Sequence, residues 1–317
     1  MTMGMRRRWR NCTKCYSIME LIRKFFFKYI HDNWNIAVAD IGDDLSPLNI
    51  KWMKHEYKDR CFADPFFVGK TKDAYIILVE ELIRDARKGR LARLTVNIED
   101  CRLLKNETIL DLPTHLSFPN PIVVDEKTYI YPENGASGNT KYYEYDTILR
   151  NPQLLSNLPL TDAVIYRHED KSYLLYTIGK ECNGNVLRMA VADSAFGEYK
   201  PIQEITFADN VARRAGNVFQ WKGRSISPAQ VNNKHYGEGI SFQEIAIENG
   251  LVSLREIKRI FPSWDEYDKA FHTYNVLGNK VVIDGVRIGW PKISRIYKKL
   301  LNYYAIWKIG EPVYLID

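Results

Sequence analysis

The sequence predicts an all-β fold: a five-bladed β-propeller with a short N-terminal helix and a C-terminal helical segment. One hairpin pattern returns five times along the chain: a small or polar residue, an apolar run, a polar turn and a second apolar run. The returns are spaced by roughly 40 to 60 residues, the period of propeller blades. The composition agrees, because 20 Tyr, 13 Phe and 7 Trp in 317 residues suit strands. A β-sandwich or two separate β domains are the competing architectures, and the shared form of the five units favours the propeller.

The chain begins with a basic stretch. Arg6, Arg7, Arg8, Arg10, Lys14, Arg23, Lys24 and Lys28 account for much of the net charge of +6. Ile18, Leu21, Ile22, Phe25, Phe26 and Tyr29 recur at helical spacing, so Tyr16 to Tyr29 reads as an amphipathic helix. Residues 1–33 are therefore expected to form a basic helical extension and residues 34–317 the propeller. The helix packs on the protein body or lies on a membrane surface. Glu20, Arg23, Lys24 and Lys28 interrupt its apolar run, which excludes a spanning helix and argues against a secretory signal. A cytoplasmic protein is expected, with membrane association through this helix as the alternative. Charge concentrated in one extension does not point to nucleic acid. Five scattered cysteines form no disulfide framework, and Cys12-Thr13-Lys14-Cys15 lacks the second pair that a zinc site needs. No metal or cofactor is expected.

The strands start at Trp34–Asp40. The first hairpin joins Phe62–Val68 to Tyr75–Glu81, the second Ser117–Val124 to Tyr129–Glu133, and the third Thr161–Tyr166 to Tyr173–Thr177. The fourth joins Ala215–Phe219 to Ser225–Gln230, and the fifth His272–Leu277 to Val281–Gly285. Runs between them, Leu91–Val96, Lys141–Tyr145, Val186–Ala192 and Ile240–Ile247, bring each blade towards four strands. Ile293–Tyr304 has helical spacing, and Val313–Ile316 is a candidate closing strand.

In a propeller the first residues of the inner strands share one rim. Asp64, Asn120, Asp162 and Gly216-Asn217 occupy those positions, and the returning strands add Glu80, Glu81, Glu133 and Gln230. Paired carboxylates facing one cavity are what glycoside hydrolysis uses, and crowding raises one pKa towards the working range of an acid. The plainer reading of an acid beside Pro65 or Ala163 is a turn that accepts backbone N–H groups. Adjacent Glu80 and Glu81 face opposite ways on a strand, so one is expected inside and the other solvated or salt-bridged. His115 and His272 are candidates for sugar hydroxyls, Arg213 for a carboxylate or phosphate, and Tyr236 for a stacking ring. Asp43-Asp44 reads as a solvated loop.

The ordered motifs Phe62-Ala63-Asp64-Pro65-Phe66, Glu80-Glu81, His115-Leu116-Ser117-Phe118-Pro119, Tyr131-Pro132-Glu133, Thr161-Asp162-Ala163, Arg213-Arg214-Ala215-Gly216-Asn217 and Pro228-Ala229-Gln230 with Tyr236-Gly237 resemble a known family. It is the domain that precedes the transferase domain of glucosamine inositolphosphorylceramide transferases, with stand-alone bacterial relatives. The resemblance runs from about Trp34 to Trp290 and extends distantly to the five-bladed glycoside hydrolases of families 43 and 32. It implies Asp64 as general base or nucleophile and Asp162 as the residue that tunes pKa. Those hydrolases carry a catalytic Glu at the start of a further blade. This chain reads Arg213-Arg214-Ala215-Gly216 there, so Glu133 or Glu80 would have to replace it.

Two functions are expected from these readings. One is a carbohydrate-active propeller of surface-polysaccharide or glycolipid biosynthesis, with glycosidase-like chemistry on a glycan or sugar-linked substrate. The other is a non-catalytic glycan or sugar-nucleotide binding module that partners a glycosyltransferase.

Overall fold

The computed structural model describes residues 32–84, 86 and 88–288. Twenty strands form five four-stranded antiparallel sheets, the blades of a β-propeller. β1 (Asp32–Ile41) and β2 (Pro47–Trp52) come first and wait for the end of the chain. Blade one is β3 (Arg60–Lys70), β4 (Ala74–Ile83), β5 (Lys88–Asn97) and β6 (Leu103–Leu110). Blade two is β7 (Ser117–Val124), β8 (Lys127–Glu133), β9 (Thr140–Tyr145) and β10 (Leu149–Ser156). Blade three is β11 (Leu160–His168), β12 (Lys171–Ile178), β13 (Val186–Ala192) and β14 (Lys200–Thr206). Blade four is β15 (Phe219–Trp221), β16 (Arg224–Val231), β17 (Gly239–Glu248) and β18 (Leu251–Ile260). β19 (Tyr274–Leu277) and β20 (Lys280–Ile288) then pair with β1, giving blade five the order β19-β20-β1-β2. Strands from both ends of the described chain thus share one sheet, which closes the ring without leaving those edges bare.

The expected helices at Tyr16–Tyr29 and Ile293–Tyr304, and the expected strand at Val313–Ile316, lie outside the described residues. Among the described residues the helical segments are two single 3-10 turns, Gly135–Ser137 and Gly179–Glu181.

Most inner and middle strands are apolar because both of their faces are covered; β15 and β9 are the less buried ones. In β4, Tyr75, Ile77, Leu78 and Val79 are all buried. The outer strands are different: in β10 five consecutive residues are exposed, and β14 buries none. Without an apolar period β6, β10, β14 and much of β18 leave little trace in the sequence. Five apolar clusters fill the five gaps between blades. Ile36, Val38 and Val282 meet Phe62 and Ile77, and Leu78 and Leu91 meet Leu116 and Ile130. Tyr131 meets Ile165 and Leu174, Leu175 and Met189 meet Ile245, and Ile226 and Phe242 meet Tyr274 and Ile283. At the hub Phe66, Phe118 and Val164 pack together with Val218.

The fourth hairpin departs from expectation. Its inner strand β15 covers only Phe219–Trp221. Arg214 bridges Ala229 and the Ala215 N–H still reaches the Pro228 carbonyl, but Gly216 to Val218 leave the ladder; Gly216 has φ 152, and an added Cβ would collide with the Tyr274 carbonyl.

Ring closure generates a stability prediction. Ile283 in β20 is fully buried, so Ile283→Ala should lower the urea-unfolding free energy by about 2–5 kcal/mol. Val123→Ala, on an exposed side chain, should change it by less than about 0.5 kcal/mol.

Candidate functional site

A shared backbone device builds the hub. In β3 the pairing steps from Ala63↔Glu80 to Phe66↔Leu78, in β7 from Ser117↔Glu133 to Asn120↔Tyr131, and in β11 from Thr161↔Thr177 to Val164↔Leu175. Each inner strand gains one residue on its partner, which is a β-bulge. The bulges hold Asp64, Phe118 and Asp162 at φ 49, 44 and 41. Left-handed backbone is uncommon for such residues, and Asp tolerates it better than Phe. The counterpart of Asp64 and Asp162 in blade two is therefore Phe118, whereas Asn120 corresponds to the hub residues Phe66 and Val164. Sequence reading had aligned Asn120 with the two acids, because a bulge leaves no mark in an apolar run.

A neighbouring carboxylate receives each bulge N–H. The Asp64 N–H donates to Asp284 Oδ2 (3.1 Å), the Phe118 N–H to Asp64 Oδ2 (3.0 Å) and the Asp162 N–H to Glu133 Oε2 (3.1 Å). Amides complete the ring: Asn120 Nδ2 donates to the Ala163 carbonyl, Asn275 Nδ2 to the Pro65 carbonyl and Asn217 Nδ2 to the Pro121 carbonyl.

Around Asp64, Thr273 Oγ1 donates to Oδ1 at 3.1 Å, and His272 Nε2 lies 3.6 Å from the same oxygen. Burial, with the charges of Asp162, Glu80 and Asp284, pushes the Asp64 carboxyl up to about 7, against the pull of His272. Asp284, which sequence reading missed, lies 2.7 Å from His272 Nδ1 and accepts the His272 and Thr273 backbone N–H groups on Oδ1. Burial opposes charge on His272, yet Asp284 and then Asp64 raise it to about 9.

Asp162 forms the second centre. Its Oδ2 accepts Arg213 Nε and Gln230 Nε2, both at 2.6 Å. A further Arg213 nitrogen lies 3.5 Å from Glu133, and another donates to Asn183 Oδ1 at 2.8 Å. Burial and the charge of Asp162 push Glu133 well above the usual carboxylate range, with Arg213 pulling the other way. Tyr236 lies between the centres. The Arg213 guanidinium sits 5.3 Å from its ring, and His272 meets it edge-on at 5.2 Å. Burial raises the Tyr236 phenol, Arg213 opposes that, and Asp64, Asp162 and Glu133 add to it.

The expected site residues thus sort by position. Asp64, Glu133, Asp162, Arg213, Gln230, Tyr236 and His272 converge on the hub. Glu80 borders them, 3.2 Å from Nε2 of half-exposed His115, whose Nδ1 accepts the Gly89 N–H. Burial lowers the His115 pKa, but Glu80 and Asp64 prevail and raise it. Glu81 turns away: Arg60, Arg90 and Asn106 surround it within blade one, a buried salt bridge of structural type. Arg213 grips its own neighbours rather than presenting a free cation. The adjacent Arg214 is fully buried and donates to the Val211 and Ala212 carbonyls, Ser227 and Gln243. Asp44 pairs with Lys258 in an exposed loop.

Asp64, His272 and Asp284 lie close enough to share a cation. Asp284, however, already accepts three backbone N–H groups and the His272 imidazole. One ring nitrogen is left over, together with an Asp64 carboxylate that already accepts Thr273 Oγ1 and the Phe118 N–H, fewer ligands than metal sites use, so the trio fits a proton-sharing group better. Surface cavities of about 360 and 180 Å³ lie elsewhere: the larger touches Asp40, Lys51 and Lys280, the smaller Leu112, Pro132 and Tyr143. Neither is lined by a hub acid.

Residues 51–276 match the family model described as "Glucosamine inositolphosphorylceramide transferase 1, N-terminal". No curated protein matches the chain. Among solved structures, a Phanerochaete chrysosporium exo-β-1,3-galactanase with galactose matches at a TM-score of 0.51 and 9% identity, over 69% of this chain and 57% of that one. A family 43 β-1,3-galactosidase matches at 0.50 and 12% identity, over 73% and 58%. The family 62 α-L-arabinofuranosidase catalytic domain of Coprinopsis cinerea matches at 0.50 and 10% identity, over 70% and 74%. The chain spans less than two thirds of the length of the galactanase. At these identities the likeness establishes the propeller fold, and not the reaction.

The hub ionisations have a pH signature. Native Asp64 holds its proton to about 7 while the unfolded acid ionises near 3.8, so stability is lost as pH rises between those values. His272 stabilises the fold fully below 6.5, and this contribution is lost as pH rises through about 9. The urea midpoint should therefore fall from about pH 4 to about pH 9. Asp64→Asn should flatten the acidic part of that decline and His272→Gln the alkaline part; a midpoint that rises over the range contradicts both assignments.

Proposed function

The chain belongs to the glucosamine inositolphosphorylceramide transferase 1 N-terminal family, and from that premise we propose that its hub binds a neutral glycosyl unit and applies acid–base chemistry to the adjoining glycosidic bond. The observation that carries this reading is a pair of buried amide acceptors without donors, Asn120 Oδ1 and Gln230 Oε1, beside Asp162, which the protonated Glu133 carboxyl reaches. Their orientations are pinned. Asn120 Nδ2 serves the Ala163 carbonyl, Gln230 Nε2 serves Asp162 Oδ2 and the Arg214 carbonyl, and Asp162 Oδ2 is already shared. Such oxygens are costly unless a donor arrives. Sugar hydroxyls are donors, while a phosphate brings only acceptors and would need a cation. The arginine on Asp162, Arg213, is already engaged with Asp162, Glu133 and Asn183.

In this reading Glu133, kept protonated by burial and Asp162, donates to the leaving oxygen. Asp64 in its ionised form takes the proton of the attacking water or attacks directly, and Asp162 orients the sugar. The glycolipid in the family's description and the galactose bound to the galactanase support a glycan as ligand. A second reading, a binding module beside a glycosyltransferase, is favoured by Arg213, which ties Asp162 to Glu133 where the resembling hydrolases place an acid.

Asp64→Asn keeps an acceptor for the Phe118 N–H, so it should leave neutral-oligosaccharide binding intact by calorimetry. Turnover should fall by at least about 100-fold. Gln230→Leu should weaken binding by about tenfold. Binding without turnover in the unmodified protein selects the second reading, and tighter binding of a phosphorylated or nucleotide-linked sugar overturns the neutral site.

A further inference from the structure

Asp284 and His272 do more than close blade five. We propose that they form a positioning dyad in which Asp284 fixes the His272 ring and the imidazolium holds Asp64 as the ionised base of the hub. The inference rests on the acid–base reading above.

The geometry begins with Asp284. It lies on β20, yet it receives groups from two blades: the Asp64 N–H at 3.1 Å, the His272 and Thr273 N–H groups at 3.1 and 3.0 Å, and His272 Nδ1 at 2.7 Å. An oxygen that close fixes a proton on Nδ1, which leaves Nε2 as the nitrogen facing Asp64. Nε2 is 3.6 Å from Asp64 Oδ1, close enough for strong charge attraction and longer than a formed hydrogen bond.

The ring has little freedom to leave. Trp34 stacks on it at 4.3 Å and Tyr236 meets it edge-on at 5.2 Å. Gly237 closes the third side, where an added Cβ would stand 2.9 Å from the His272 Cβ. His272 itself is 3% exposed, so water cannot take over its role.

The charges facing the dyad come from several elements. Asp64 on β3, Asp162 on β11 and Asp284 on β20 all act on His272. Asp64 itself also feels Glu80 of β4. Tyr236, from the loop between β16 and β17, brings a phenol flanked by Arg213 and Glu133. Burial of that many acids favours protonated Asp64, which is useless as a base. A fixed imidazolium is the opposing influence, and His272 is the cation placed at Asp64 Oδ1. When Asp64 accepts a proton from the attacking water, the hydroxyl oxygen bonds to the anomeric carbon and the leaving oxygen takes the Glu133 proton. The dyad keeps its own protons throughout.

The test is NMR of the full chain, with nitrogen-15 observation of the His272 ring and carbon-13 observation of the Asp64 carboxyl during a pH titration. Nδ1 should stay protonated across the range, and the ring should titrate well above the ordinary histidine midpoint. Asp284→Asn should lower that midpoint by at least one pH unit, and His272→Gln, which removes the cation at Asp64, should raise the Asp64 midpoint. Trp34→Leu, which removes packing but no charge, should leave both nearly in place. An ordinary His272 midpoint in the unmodified protein, or one that Asp284→Asn does not move, overturns the dyad. If Asp284→Asn fails to fold, the Nδ1 signal of the unmodified protein still decides, because a bare Nδ1 at neutral pH rules the dyad out. None of these readouts requires turnover, so failure to cleave any glycan would sink the acid–base reading while leaving this result legible.

Discussion

The capped bulge is the constraint on which this hub depends. Asp64, Phe118 and Asp162 each hold a left-handed backbone within an inner strand, at a cost of order 1–3 kcal/mol per residue. Each exposes an N–H that the ladder no longer uses, and a side-chain carboxylate answers it: Asp284, Asp64 and Glu133 respectively. Hydrogen bonds to carboxylates are among the stronger ones available to a buried amide. Apolar clusters fill the gaps between blades, and the capped bulges fix how the inner strands meet.

Structure and chemistry therefore compete for the same oxygens. Asp64 caps Phe118 through Oδ2 and offers Oδ1 to Thr273 and His272. Glu133 caps Asp162 through Oε2. Burial makes the caps strong, and the same burial drives Asp64 and Glu133 upward in pKa. A perturbed acid at a functional site need not be perturbed for function alone. What exceeds structural need here is the pair of acceptors on Asn120 and Gln230 that no donor meets.

Much of this was legible in the chain. The five hairpins showed as apolar runs because most inner and middle strands are covered on both faces, and Asp64, Glu133 and Asp162 showed because they interrupt those runs at their ends. Phe118 did not, since a bulge shifts register without changing composition. Asp284 was read as the end of a strand before Gly285, and its bond to the Asp64 N–H spans 220 residues, a separation that no local pattern reports. Arg213 was read as free to grip a ligand, because a charge in a sequence does not name its partner. Glu80 and Glu81 were both placed at the rim with one expected to turn into a salt bridge, and alternation along β4 makes Glu81 that one, held by Arg60 and Arg90.

Amide hydrogen exchange tests the hub most directly. The Phe118 and Asp162 amides should exchange only through global unfolding, and Asp64→Ala should accelerate the Phe118 amide well beyond the general loss of protection. If the Phe118 amide in the unmodified protein exchanges as fast as that of exposed Lys72, or if Asp64→Ala leaves its protection equal to that of Asp162, the carboxylate does not cap the bulge and the account fails.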